Sequence, residues 1–263
     1  MTKHPYFQRK HSILILAHRG ERGHAPENTM VAFQRAADLD VDSLETDIHR
    51  TADGVIVAFH DDTLERTTNG HGRIQDFTFA QLQELDAGYN WTADHGQTFP
   101  YRDKGITIPS LTELFETFAD FRINIDIKQE SPSIVADFAT LIKKHGREQT
   151  VCVGSFDDDN INQFRKLLPH VPTAAGYSET RRAVILDKLW LGRFFNASAN
   201  AFQVPEAQGG IRVVTPSFIQ MAHRRGMEVH VWTVNETADM ERLIEWGVDG
   251  LVTDYPARLL SLL

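Results

Sequence analysis

Eight short apolar, β-rich runs separated by helix-length stretches constrain this 263-residue chain more than any other feature. They fall at residues 13–17, 43–48, 123–127, 151–155, 173–177, 201–204, 229–234 and 250–253. A further run at 55–59 follows 43–48 across an Asp53-Gly54 turn, close enough that the two pair only as an antiparallel hairpin. Helix signals fill most of the gaps. Phe33, Ala36 and Ala37 share one face of a helix over 29–40. Ser110 with Glu113 forms a capping box ahead of Leu111, Leu114, Phe115 and Phe118. Met240, Leu243 and Ile244 repeat the helical spacing and stop at Gly247. Strands alternating with helices in this length predict an α/β fold, a (β/α)8 TIM barrel forming a single domain. An open doubly wound sheet is the competing arrangement, but no G-x-G-x-x-G follows the first run. Residues 60–109 are rich in Asp, Thr, Gly, Gln and aromatics and too long for a βα loop. They read as a small insertion after the second strand, packed near the barrel mouth.

Charge narrows the function. The formal net charge of −9 argues against broad nucleic-acid binding, and an anionic substrate must find its cations locally. A single cysteine, Cys152, excludes an internal disulfide. Residues 1–10 are polar, the apolar run after them is too short for a signal peptide, and nothing approaches the roughly 20 apolar residues of a membrane span. The expectation is a cytoplasmic protein without stable membrane insertion. Peripheral membrane contact stays open, and oligomeric state is not readable.

The chemistry gathers at the ends of these strands. His18-Arg19-Gly20 sets an imidazole beside a fixed cation where the first strand gives way to a loop, a pairing suited to phosphate esters. Glu45 and Asp47, two apart on a strand, point to one face, and Asp126 and Lys128 repeat that spacing on the next barrel strand. Barrel active sites lie at the C-terminal ends of strands, where all of these fall. Three acids from adjacent strands make an oxygen-rich site suited to Mg²⁺ or Ca²⁺ rather than Zn²⁺. The alternative is that Glu45 and Asp47 only form ion pairs with Arg19 and Lys128. His60-Asp61 closes the hairpin, bringing His60 back beside Asp47 and toward His18, so two imidazoles can act as base and acid. The other ten histidines are expected on the surface or on helices.

These motifs, with Pro26-Glu27-Asn28-Thr29, Trp232-Thr233-Val234-Asn235 and residues 248–254, resemble the glycerophosphodiester phosphodiesterase family over nearly the whole chain. That family is a TIM barrel with an insertion after its second strand. The resemblance implies that His18 and His60 are the acid/base pair. It assigns Arg19 and Lys128 to the phosphate oxygens and Glu45, Asp47 and Asp126 to a divalent cation, Mg²⁺ or Ca²⁺. Many members carry Glu at the position of Asp126, whose shorter side chain loses a methylene of reach. Glu27 is expected to orient Arg19, with Asn28 or Thr29 capping the following helix. Trp232 is a candidate to line the pocket against the leaving group, or is barrel packing.

The implied reaction is metal-dependent hydrolysis of a glycerophosphodiester to sn-glycerol 3-phosphate and an alcohol, with water or the glycerol 2-hydroxyl as nucleophile. The alternative is lysophospholipase D action on a lysophospholipid, since Gln203-Val204-Pro205 resembles members with that activity. Val184, Ile185, Leu186, Leu189, Trp190, Leu191, Phe194 and Phe195 read either as a barrel helix burying its inner face or as a greasy rim for acyl chains or a bilayer. A glycosidase would need two carboxylates opposed across a sugar, whereas these acids cluster beside cations and histidines. A non-catalytic phosphodiester-binding protein would have lost a histidine or an acid of the set, and none is lost.

Overall fold

The computed structural model describes residues 4–263; residues 1–3 of the polar N-terminal stretch lie outside the described residues. Seven parallel strands run side by side as β5-β4-β2-β1-β10-β9-β6. They are β1 (Leu14–Ala17), β2 (Ser43–Arg50), β4 (Arg122–Ile127), β5 (Val151–Gly154), β6 (Ala201–Pro205), β9 (Glu228–Trp232) and β10 (Gly250–Thr253). Thr173 bridges to Val153 and Ala174 to Ala201, closing the ring between β5 and β6. The circle is thus an eight-stave barrel, the architecture expected. The run expected as a strand at 173–177 contributes only these two bridging residues, because Gly176 caps a helix that starts at Tyr177. β3 (Ile56–Ala58) returns antiparallel along β2, with Ile48 opposite Ala58, as the Asp53-Gly54 turn required. β7 (Ala207–Gln208) and β8 (Ile211–Arg212) form a small hairpin after β6.

Alternation along the staves explains both the core and the site. Ile15, Ala17, Leu44, Ile48, Ile123, Ile125 and Ile127 face outward into the apolar layer beneath the helices. Their neighbours Glu45, Asp47, Asn124 and Asp126 therefore face inward, the period of two putting every acid on the barrel axis. Leu14, Leu16, Cys152, Ala201 and Val252 fill the lower interior, which Tyr6 and Phe7 plug from below. The expectation that ten histidines are surface or helical needs correcting, since His49 and His230 are buried on strands; His230 bonds Glu228 and faces Gln203.

Helices α1 (Met30–Asp38), α2 (Phe79–Leu82), α3 (Leu111–Thr117), α4 (Val135–Lys144), α5 (Asp158–Leu167), α6 (Tyr177–Lys188), α7 (Pro216–Arg224), α8 (Thr237–Trp246) and α9 (Pro256–Leu260) follow in chain order. Thr29 caps α1 through its hydroxyl, Ser110 and Glu113 form their capping box on α3, and α8 ends on Gly247 at φ 87°. The insertion has its own small core of Val57, Phe59, Leu64, Ile74, Leu82, Ala87, Ile106 and Ile108.

The apolar stretch after residue 183 divides. Phe195 is buried against Phe202, while Ile185, Leu189, Trp190, Leu191 and Phe194 are exposed. Tyr177 stands at the barrel mouth, and the 12 residues of α6 carry the chain about 18 Å away from it toward the start of β6. The Leu189–Phe194 segment therefore sits at the end of the barrel opposite the mouth and is no substrate rim.

Phe202 packs its ring 5.6 Å from Phe195 and 4.8 Å from Phe218, all buried between β6 and the helices. Phe202→Ala is expected to cost about 3–5 kcal/mol, read as a lowered urea midpoint with an unchanged denaturant slope.

Candidate active site

A cavity of about 340 Å³ opens at the C-terminal ends of the strands. One wall carries His18, Arg19, Glu45, Asp47, His60, Asp126 and Lys128; Phe156, Tyr177, Val204, Pro205 and Trp232 form a more apolar wall across from it. All eight residues singled out in the sequence for chemistry or binding line this one space, Trp232 among them. Trp232 meets Phe156 edge to face at 5.9 Å, so it is pocket wall as well as packing.

The loop after β1 is shaped by sterics. Arg19 and Gly20 both adopt left-handed backbone, at φ 51° and 83°, and a Cβ on Gly20 would come within 2.5 Å of the Ala32 backbone. That turn aims the Arg19 amide at Glu45 Oε2, 2.9 Å away, and its guanidinium at two carboxylates. Nη1 donates to Glu27 Oε1 at 2.7 Å, and Nε lies 3.0 Å from Asp47 Oδ2. Lys128 Nζ reaches both Asp126 Oδ2, at 2.5 Å, and Asp47 Oδ1, at 3.2 Å. Asn28 steadies Asp47 through a 3.1 Å bond and accepts one from Thr46, while Thr29 rather than Asn28 caps α1.

These contacts set the charges. Burial pushes Asp47 upward, but Lys128 and Arg19 overcome it and hold the carboxyl below its ordinary value. Glu45 is pushed up to about 8 by burial and by Asp47, against the pull of Arg19. Asp126 is also raised, chiefly by burial, with Lys128 opposing. Burial lowers His18 below its ordinary value despite Asp254, so its imidazole is neutral at neutral pH. Each histidine has a carboxylate at Nδ1: Asp254 lies 2.6 Å from His18 and Asp61 2.5 Å from His60. A carboxylate only accepts, so Nδ1 of each ring carries a proton, and Nε2 of the neutral His18 is left with a lone pair.

The acids form an all-oxygen set, and a buried carboxyl as raised as Glu45 marks a place short of positive charge. Both features fit a hard divalent cation. Among the described residues, no group of three or more His, Cys, Asp or Glu side chains is arranged to hold a metal ion, and Lys128 stands between Asp47 and Asp126.

The structure adds residues that the sequence reading gave no role. Asn235 and Asp254 end the two C-terminal motifs, 232–235 and 248–254; Asn235 donates to Asp254 at 2.8 Å and so braces the partner of His18. Arg66, from the insertion, bonds both oxygens of Glu27 and both of Asp61. Nothing in the sequence pattern distinguishes it from the other arginines. Gln203 donates to Asn124 at 2.6 Å on the pocket floor.

Residues 18–258 match the glycerophosphoryl diester phosphodiesterase family. The chain belongs to that family. A glycerophosphodiester phosphodiesterase from Caldanaerobacter subterraneus subsp. tengcongensis is 34% identical over 95% of this chain and 97% of that protein. Lysophospholipase D GDPD1 of Mus musculus is 28% identical over 93% of this chain and 84% of its own length. The solved Oleispira antarctica phosphodiesterase, in complex with the product sn-glycerol-3-phosphate, matches with a TM-score of 0.77 at 25% identity, covering 94% of this chain and 95% of that one. As a member of the glycerophosphoryl diester phosphodiesterase family the chain is a phosphoric diester hydrolase.

Glu27 yields a pH signature. Burial alone would raise its carboxyl, but Arg66, then Arg19 and Arg22, hold it well below the ordinary 4.5. The folded state thus binds this proton more weakly than the unfolded state. The stabilisation is complete above the ordinary value and is lost as pH falls through it toward the depressed one. Glu27→Gln is expected to remove on the order of 2 kcal/mol near neutral pH, a deficit that shrinks as pH falls below the ordinary carboxyl value of 4.5 in denaturant titrations.

Proposed function

We propose that the enzyme hydrolyses glycerophosphodiesters to sn-glycerol 3-phosphate and an alcohol, with His18 and His60 as the acid/base pair. The observation that carries this is the two imidazoles of one cavity, each with a carboxylate on Nδ1 and Nε2 left over, beside Arg19 and Lys128. Neutral His18 takes the proton of the attacking hydroxyl at Nε2, and Asp254 stabilises the imidazolium that results. His60, entering the step as the imidazolium, gives its Nε2 proton to the leaving alkoxide while Asp61 holds its Nδ1. Arg19 and Lys128 meet the phosphoryl oxygens, Arg19 as a planar fork and Lys128 as a point charge.

Glu45, Asp47 and Asp126 are the residues that would hold a divalent cation, Mg²⁺ or Ca²⁺. When bound, such an ion offsets negative charge developing on a phosphoryl oxygen and ionises Glu45. Lys128 would then turn from Asp126 toward the phosphate, a short swing for a side chain with four rotatable carbons. The relatives named for glycerophosphodiester phosphodiesterase activity, and the product complex of the Oleispira antarctica protein, support the substrate class.

A lysolipid reading has one observation in its favour. Phe156 and Tyr177 are exposed at the mouth beside Trp232, an apolar lip that an acyl chain could lie along. The lysophospholipase D of Mus musculus agrees with it at lower identity.

His18→Ala and His60→Ala should each lower kcat by at least about a hundredfold while leaving the circular dichroism spectrum unchanged. Chelation should abolish turnover, with Mg²⁺ and Ca²⁺ titrated back separately on glycerophosphocholine and lysophosphatidylcholine. Near-normal activity in either variant sinks the histidine assignment, full activity in chelator sinks the metal, and faster turnover of the lysolipid reverses the substrate order.

A further inference from the structure

A second cavity, of about 280 Å³, lies between the barrel and the insertion, and Arg22 lines both it and the catalytic cavity. Its walls include Glu27, Arg66, Asn90 and Trp91. The insertion is tied down on either side of it: Trp91 Nε1 donates to the Arg22 carbonyl at 3.2 Å, and the Tyr101 hydroxyl donates to the His24 carbonyl at 2.9 Å. This space is therefore held open by the fold.

Its hydrogen bonding is lopsided. Glu27 accepts from Arg19 and twice from Arg66, and Asp61 accepts from Arg66 and His60. Asp254 is taken by His18 and Asn235. Arg22 is different. Its Nε lies 3.6 Å from both Glu27 and Asp254, beyond hydrogen-bond reach, and among the described residues its guanidinium donates no hydrogen bond. The carboxylates around the cavity are hydrogen-bonded, whereas the guanidinium at its entrance is held only by two longer ion pairs, each at 3.6 Å. What fits there is an acceptor, best an anion, since a guanidinium presents five donors and nothing else.

The direction of the substrate leads to the same place. On the reading proposed above, His60 protonates the leaving alkoxide, so the head-group alcohol departs on the His60 side. His60 is held by Asp61, Asp61 by Arg66, and Arg66 is a wall of the second cavity.

We infer that this second cavity is a head-group subsite in which Arg22 selects diesters whose alcohol carries its own phosphate or carboxylate. The inference rests on the hydrolytic reading. A quaternary ammonium head group has no acceptor for Arg22 and is repelled by it. A neutral polyol gains hydrogen bonds from the guanidinium, and an anionic alcohol adds ion pairing and a bidentate fit to them.

Glycerophosphoinositol 4-phosphate, glycerophosphoinositol and glycerophosphocholine test this as a matched series. The wild-type kcat/KM should be at least about tenfold higher for the phosphorylated inositol diester than for the unphosphorylated one, with the choline diester lowest. Arg22→Gln should bring the phosphorylated-to-unphosphorylated ratio to about one, and Arg22→Glu should invert it. Arg22→Lys should restore part of the preference. Arg22 is ion-paired with Glu27 and Asp254, so thermal unfolding checks that each variant is folded at the assay temperature, and the ratio of the two inositol diesters within one variant is independent of any common loss of turnover. Hydrolysis of all three diesters with a ratio that neither Arg22→Gln nor Arg22→Glu moves overturns the subsite and leaves the hydrolytic reading intact. Hydrolysis of none of them overturns both.

Discussion

Two carboxylates side by side inside a barrel are the constraint on which the rest of this molecule depends. Glu45 and Asp47 share the inner face of β2, both buried, where uncompensated charge is costly. Arg19 and Lys128 make the arrangement tenable, and each reaches the acids from a neighbouring stave. The left-handed turn at Arg19-Gly20 is what brings the guanidinium and the amide of Arg19 to bear on them together. The compensation is incomplete, since Asp47 keeps its charge while Glu45 is driven toward its neutral form. A site in that condition is ready for one more cation or for a proton.

The same economy of charge binds the insertion to the barrel. Arg19 is held by Glu27, Glu27 by Arg66, and Arg66 by Asp61, which in turn holds His60. This chain of alternating charges runs from a cation of the catalytic cavity to a histidine on another strand end. The insertion therefore takes part in orienting the active site, although none of its residues beyond His60 lines the catalytic cavity. Trp91 and Tyr101 add two bonds to the backbone of the first loop, so the two parts meet through a fixed seam.

The catalytic cavity has unlike walls, charged on the side of β1, β2 and β4 and largely apolar on the side of β6 and β9. A glycerophosphodiester suits such a space, because its phosphate and its carbon skeleton need different surroundings. The exposed aromatics at the mouth, rather than the apolar stretch after α6, are where a longer apolar group would be met.

Most of the fold and the named site were legible from sequence because both depend on short-range periodicity. A period of two fixes which strand residues share a face, so Glu45 with Asp47 followed from spacing alone. Strand–helix alternation called for a barrel, the capping box and Gly247 marked helix ends, and the hairpin turn carried His60 back to Asp47. The fifth stave is shorter than its apolar run implies, because Thr173 and Ala174 pair for only two residues before Gly176 caps a helix. The burial of His49 and His230 is not legible locally, since it depends on which strands lie alongside. What tertiary structure alone decided is which distant charges meet: Asp254 with His18, 236 residues apart, and Arg66 with Glu27, 39 apart. No local pattern encodes such contacts, because they arise only when the barrel closes and the insertion folds back across its rim.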